Sequence, residues 1–312
     1  MKCLIFSDGH AQGINSRNRL GNYFQDWLLK FDELLSIAKD KNCDMIIDTG
    51  DLFESNKPSY SVLDEIADRV EKNKIPIYSL FGNHCEAYGN LKNSNDTGLM
   101  HLQKRSKLFC SLTNDFPPFP DEMQADGYEI KAIDYEFGIE EKLKNNPIYF
   151  NEGKYLKIII THALITPNKF FDTVSYVTPE QIKTNADLVI CSHYHIPFCK
   201  KVGNTEFINI GCFGRLAINE AKIEPSVMLL DTDKRYYEII KLKSAKKGTE
   251  IFDLSKYNEL KANEKSIQEF LDSLKSSNLQ NMDLKQQIIK IGKDNNVKQK
   301  IIDNLLDKIN VK

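Results

Sequence analysis

Hydrophobic positions along this chain follow two alternating rhythms. Short unbroken apolar runs occur at 3–7, 45–47 and 75–81, and between them apolar residues recur at helical spacing. The unbroken runs predict buried strands, because a strand covered on both faces needs no polar alternation. Leu20, Phe24, Trp27, Leu28, Phe31, Leu34, Leu35 and Ala38 predict an amphipathic helix over 20–39, with Trp27 in the core. Val62, Leu63, Ile66 and Val70 predict a second over 59–72. This strand–helix–strand–helix–strand order implies parallel pairing with right-handed crossovers, hence an α/β class.

Further along the rhythm changes. Residues 85–126 read as loop-rich, with a basic cluster Lys104–Arg105–Lys107 and a Phe116–Pro117–Pro118–Phe119–Pro120 stretch. Strands are expected at 128–134, 155–160, 188–191, 206–210 and 227–231, with Gly203–Asn204 marking a hairpin turn. Beyond 244 the pattern turns helical and lysine-rich, with apolar stripes at Ile267, Phe270, Leu271 and Leu274, at Ile288, Ile289 and Ile291, and at Ile301, Ile302, Leu305, Leu306 and Ile309. A junction near 244 would separate a body, 1–244, from a helical extension, 245–312.

Length adds that 312 residues can bury a large core. Net charge is −2, unevenly spread: residues 234–312 hold 17 basic and 11 acidic side chains, a net of +6, leaving −8 for 1–233. An acidic body with a basic tail suits a polyanionic substrate or an acidic partner, and equally a solvated helix surface. No apolar run is long enough to span a bilayer, so no membrane partner is expected. The seven cysteines are an odd number with no closely spaced pair, which argues against a zinc ribbon or a disulfide framework and for a reducing cytoplasm. Cys3, Cys191 and Cys212 sit in apolar runs and are expected to be inert core residues.

The candidate chemistry lies at the ends of the predicted strands. Asp8–Gly9–His10, Gly50–Asp51, Gly82–Asn83–His84, Thr161–His162 and Ser192–His193–Tyr194–His195 each follow such a run. Ligands in open α/β sheets collect beyond the carboxyl ends of strands, so the fold can gather all five clusters on one rim. Five of the six histidines fall in them, His101 being the exception. Two aspartates, one asparagine and histidines form a mixed oxygen and nitrogen set, which suits a pair of Mn²⁺, Fe or Zn²⁺ ions. His193 and His195 are alternate residues; both reach metal only if the backbone turns there or two ions flank it.

In order and in residue type, Asp8-X-His10, Gly50–Asp51, Gly82–Asn83–His84, His162 and His193-X-His195 resemble the calcineurin-like metallophosphoesterases. Gly50–Asp51–Leu52–Phe53 and the segment Asn209–Ile210–Gly211–Cys212–Phe213–Gly214–Arg215–Leu216 look like the nuclease branch, which includes the bacterial SbcD exonuclease subunit. The resemblance implies a four-layer α/β/β/α sandwich whose catalytic domain is 1–244, and two divalent metal ions, Mn²⁺ in this branch. Asp8, His10, Asp51 and His195 would hold one ion. Asp51 would bridge, and Asn83, His162 and His193 would complete the second. His84 would be catalytic, protonating the leaving oxygen or binding phosphate. The metals would activate a shared hydroxide for in-line attack.

The sequence departs from the family pattern at Cys85, where most relatives carry an acidic residue; Glu86 either replaces it or that support is missing. Lys92, Lys104, Arg105 and Lys107 are candidate contacts to a DNA backbone or plain loop residues, and Phe53 and Tyr88 either stack on bases or pack. The resemblance implies DNA as substrate and an SMC-like ATPase of the SbcC type as partner, docked through the helical extension, and it allows a homodimer. A phosphoesterase for small phosphodiesters or nucleotides and a non-catalytic scaffold are the alternatives.

Overall fold

The computed structural model describes residues 1–85, 96–113, 127–171 and 173–255, with isolated positions 289, 292, 293, 299, 302, 303 and 306 beyond them. Contacts divide the chain into two units, Met1–Phe252 and Asp253–Lys312. Most of the expected extension, with its apolar stripes, and Lys92, Glu86, Tyr88 and the proline-rich stretch all lie outside the described residues.

The first unit holds two mixed sheets. One contains β1 (Lys2–Phe6), β2 (Met45–Asp48), β3 (Ile77–Ser79), β4 (Phe109–Ser111), β10 (Ser226–Asp231) and β11 (Tyr236–Lys241), in the order β11-β10-β1-β2-β3-β4. Strands β1 to β4 run parallel, as the strand–helix alternation implies, and β10 and β11 add antiparallel pairs at one edge. The other sheet contains β5 (Tyr128–Ile133), β6 (Leu156–His162), β7 (Leu188–Ser192), β8 (Phe198–Val202) and β9 (Thr205–Asn209), in the order β5-β6-β7-β9-β8. Here only the β8–β9 hairpin is antiparallel, closed by Gly203 at φ 60° and Asn204 between the paired Val202 and Thr205.

Helices α1 (Tyr23–Asp40), α2 (Tyr60–Asn73) and α3 (Gly98–Arg105) cover the outer face of the first sheet. Asn22 caps α1, its side chain accepting from the Gln25 amide at 3.1 Å. Trp27, Phe31 and Leu34 are then fully buried against Leu4, Phe6 and Phe213. A second core lies between the sheets, where Cys3, Ile5, Ile47 and Met228 meet Ile158, Ile160, Ile190 and Ile208. A third covers the outer face of the second sheet and includes Ile139 and Leu143 of α4 (Ile139–Asn145). Helix, sheet, sheet and helix therefore stack in four layers, which is why the central strands β1, β2, β6, β7 and β10 are covered on both faces.

Several elements differ from the sequence expectation. The stretch expected as loop contains α3 and β4. Strands β8 and β11, and helix α4, were not anticipated either; both strands are sheet edges, half solvated, with the unbroken apolar run replaced by alternation. The compact unit extends past residue 244 to include α5 (Gly248–Ile251) and the buried Phe252.

Candidate metal centre

Each predicted cluster sits where a parallel strand ends. Asp8 follows β1, Asp51 follows β2, Asn83 and His84 follow β3, His162 is the last residue of β6, and His193 is the first beyond β7. The backbone there is forced. Asp8, His10, Asp51 and His193 have φ between 48° and 75°, in the left-handed region that side chains with a Cβ normally avoid. Four such residues in one place mark strain held by the surrounding packing. The Trp27 indole donates to the Gly9 carbonyl at 2.6 Å and the Tyr23 hydroxyl to the His10 carbonyl at 2.8 Å, pinning the β1 turn from helix α1. Gly82 is a steric necessity, because a Cβ there would stand 2.1 Å from Asp51 Oδ1.

These turns bring together donors that lie far apart in sequence. Ligand atoms of Asp8, His10 and His195 lie within 4.8 Å of one another, as do those of Asp51, His162 and His193, and those of His10, Asp51 and His84. His193 answers its own puzzle: at φ 75° the backbone turns, so its ring packs 5.1 Å from that of His162 while His195 packs 4.9 Å from His10. Asn83 Oδ1 lies 3.1 Å from His162 Nε2, and Asp51 Oδ2 lies 3.2 Å from the same nitrogen.

The donor set fits cations. His162 Nδ1–H donates to the Thr49 carbonyl at 3.0 Å, so in the neutral ring Nε2 presents a lone pair to two oxygens, an acceptor facing acceptors. His10 Nε2 and His195 Nε2 face each other at 3.1 Å. Asp51 Oδ2 is buried with no hydrogen-bond partner. Each arrangement is costly alone and satisfied by a shared positive charge.

The same charges shift the ionisable groups of the cluster. Burial would raise the Asp51 carboxyl, but the His162 imidazole beside it outweighs burial and holds Asp51 well below the usual carboxylate range. Burial would lower His162, but Asp51 overrides it and lifts the ring to about 9. Burial and then the charge of His162 push His193 down to about 3, leaving its lone pair free. His195 is opposed by burial yet raised to about 9 by Glu220 and Asp8.

Two supporting residues were missed by sequence reasoning. Glu220 takes His195 Nδ1 at 2.5 Å from the short turn Ile218–Lys222, and nothing in its neighbourhood of sequence signals this. Glu86 falls outside the described residues, while Glu54 lies beside both His84 and His10, its carboxylate 3.5 Å from His84 Nδ1. Its carbonyl accepts from His84 Nδ1–H at 2.7 Å, and its carboxylate lies 2.8 Å from His10 Nδ1, though off the line a hydrogen bond requires. Its place three residues after Asp51 was the available signal. Cys85 itself is buried, as is Phe53, which packs in the core.

The basic candidates lie elsewhere. Lys104 and Arg105 end α3, and Lys107 precedes β4, which runs parallel to β3; the three therefore stand at the amino ends of the strands, opposite the metal cluster. Arg105 is also engaged by Asp64 and Asp68 of α2. The structure does not bring this group to the rim.

Residues 1–197 match the family of calcineurin-like phosphoesterases. The chain belongs to that family. Its membership makes the body a metal-dependent phosphoester hydrolase, and its two-sheet core is the one this family uses. In sequence the chain is 26% identical over 191 residues to the DNA double-strand break repair protein Mre11 of Methanosarcina mazei, a match covering 58% of this chain and 28% of that protein. The protein of the same name from Methanosarcina acetivorans is 24% identical over 188 residues, 58% of this chain and 29% of its own. The match thus spans under a third of these curated relatives. A solved archaeal phosphodiesterase is 19% identical and covers 78% of this chain and all of its own, with a TM-score of 0.38. Among the described residues no helix is long and apolar enough to cross a membrane.

Proposed function

We propose that this chain is a two-metal phosphodiesterase that cleaves DNA, using Mn²⁺. The observation that carries the reading is the pair of ligand triads, Asp8–His10–His195 and Asp51–His162–His193, within reach of a shared Asp51. Asn83 would join the second triad through Oδ1. When bound, the metal pair supplies Lewis acidity toward phosphate and an activated hydroxide near neutral pH. The remaining work falls to the chain. Glu220 holds His195 with Nε2 turned inward, and Glu54 holds His84 by its Nδ1–H. With Nδ1–H committed to the Glu54 carbonyl, Nε2 is the His84 atom through which a proton can pass to a departing alkoxide. The ring is part-exposed and its amide donates to Asp51 Oδ1 at 2.9 Å, so it faces the cluster from the solvent side.

DNA as substrate, and an SMC-like ATPase as partner through the C-terminal extension, rest on the resemblance to the nuclease branch and on the sequence relatives, which are DNA double-strand break repair proteins by name. One observation favours a second reading, a hydrolase for small phosphodiesters: among the described residues, the basic candidates for a DNA track face away from the rim.

The test is hydrolysis of duplex DNA and of bis-p-nitrophenyl phosphate by the Mn²⁺-loaded protein and by His84→Ala. We expect release of nucleotides from DNA, a loss of about 10²–10⁴-fold in His84→Ala, and unchanged Mn²⁺ affinity in that variant. Hydrolysis of the small diester without any DNA cleavage would move the assignment to the second reading; turnover of neither would leave a binding scaffold.

A further inference from the structure

The turn Ile218–Lys222, which presents Glu220 to His195, also walls two adjoining cavities of opposite character. One is a cleft of about 600 Å³ in which Ile196, Phe198, Ile208, Ile210, Tyr237 and Ile239 supply a largely apolar lining. The other, of about 390 Å³, is lined by Arg215, Lys222, Lys241, Lys246 and Lys247 against the single carboxylate of Glu224. The two share Lys222, Ile223, Glu224 and Lys241, so they meet along that seam.

Charge in the smaller cavity is incompletely balanced. Lys241 pairs with Glu224 at 2.5 Å and Lys246 with Asp26 at 2.6 Å. Counting both acids, five cations face two carboxylates, a net of +3. Among the described residues Lys222 and Lys247 make no ion pair. Arg215 is 3% exposed; its Nη1 and Nη2 donate to the carbonyls of Ile223 and Lys246, at 3.1 and 2.7 Å, and its Nε has no partner. A buried guanidinium fixed by backbone, with two free lysines at the same cavity, is a fit for a multiply charged anion. The neighbouring cleft offers the aromatic faces of Phe198 and Tyr237 and four isoleucines, a surface for a flat apolar group. Together the compartments lie within the size range of small-molecule sites.

We propose that this seam is a nucleotide site, with the phosphates in the basic cavity and the base in the apolar cleft. It uses none of the metal-cluster side chains, and it stands whether or not the chain cleaves DNA. A nucleic-acid backbone is the less fitting occupant, because the charge lies in a concavity beside an apolar one instead of along a continuous track.

The probe is ATP, titrated calorimetrically onto the full chain in EDTA so that no metal-bridged binding at the cluster contributes. We expect one saturable site, with orthophosphate and adenosine each binding at least tenfold more weakly. The double variant Lys222→Ala/Lys247→Ala should lose tenfold or more in ATP affinity. Ile239→Asp, at a position 43% exposed, should weaken ATP while leaving orthophosphate unchanged. His84→Ala should bind ATP as the parent does. The proposal is overturned by absent ATP binding, by equal affinity in the lysine variant, by adenosine binding as tightly as ATP, or by a short DNA duplex displacing ATP.

Discussion

At the scale of single residues, the site depends on close approach and on buried charge. Gly82 leaves no room for a side chain: its Cβ would stand 2.6 Å from the Asp51 amide as well as 2.1 Å from the carboxylate oxygen. Gly82→Ala must displace Asp51, and since Asp51 belongs to the Asp51–His162–His193 group and also to the group it forms with His10 and His84, we expect Mn²⁺ affinity to fall at least about tenfold with the far-ultraviolet spectrum retained. Calorimetric Mn²⁺ titration of the variant decides this; wild-type affinity would mean that Asp51 is not a ligand. Lys30 shows the other side. It is 2% exposed and its ammonium donates to the carbonyls of Phe213 and Gly214, the segment whose Gly214 amide in turn donates to the Asp8 carbonyl at 3.0 Å. Burial, reinforced by Arg215, holds Lys30 well below the ordinary lysine range. A base depressed in the folded state binds fewer protons there than when unfolded, so stability is at its lowest below the folded value and rises with pH toward the ordinary lysine value. Lys30→Met orphans the two carbonyls at a cost of about 1–3 kcal/mol each and removes that rise. Urea midpoints at pH 7 and pH 10 should therefore diverge between the two proteins, with the parent gaining more.

Elements were legible from sequence in proportion to their burial. Strands β1, β2, β6 and β7 are covered on both faces, so each reads as an unbroken apolar run, and the site residues at their ends could be placed from that alone. Helices α1 and α2 likewise announce themselves through a single apolar stripe. Strands β8 and β11 escaped because their residues alternate between covered and solvated positions, and β4 because it has only three residues. Glu54 and Glu220 escaped for a different reason: a residue that orients a ligand needs only one geometric contact, which imposes no periodicity on its surroundings. The same logic sets the energetics. Ile158 on β6 is fully buried between the sheets, so Ile158→Ala should cost about 2–5 kcal/mol. Because its neighbours in that core are aliphatic and the metal donors lie beyond the strand ends, diester turnover per folded molecule should stay near the parent value. A destabilisation under about 1 kcal/mol by urea denaturation would show that the two sheets do not share a tight core.

Across the molecule, the question is where the self-sufficient body ends. Composition changes near 244, but the packing does not stop there. The Leu20 amide donates to the Ile251 carbonyl at 2.8 Å, and Arg19 lies 5.3 Å from the centre of the Phe252 ring, which is 1% exposed. Gly248 is pressed against Ala221, where a Cβ would meet the carbonyl oxygen at 1.9 Å. These contacts tie the segment after 244 to the turn holding Glu220 and to the loop before α1, both of which frame the metal cluster. A chain cut after 244 loses two large buried side chains, Ile251 and Phe252, and exposes the surfaces they covered, a cost on the order of 5 kcal/mol and a large share of a domain's net stability. A chain cut after 255 keeps them. We therefore expect the 1–255 protein to unfold cooperatively with Mn²⁺ affinity and small-diester hydrolysis near those of the full chain. The 1–244 protein should have a much lower urea midpoint and weakened metal binding, through loosened support for His195. Equal midpoints for the two truncations would place the boundary where composition alone puts it, and failure of 1–255 to fold would make the C-terminal unit part of the body.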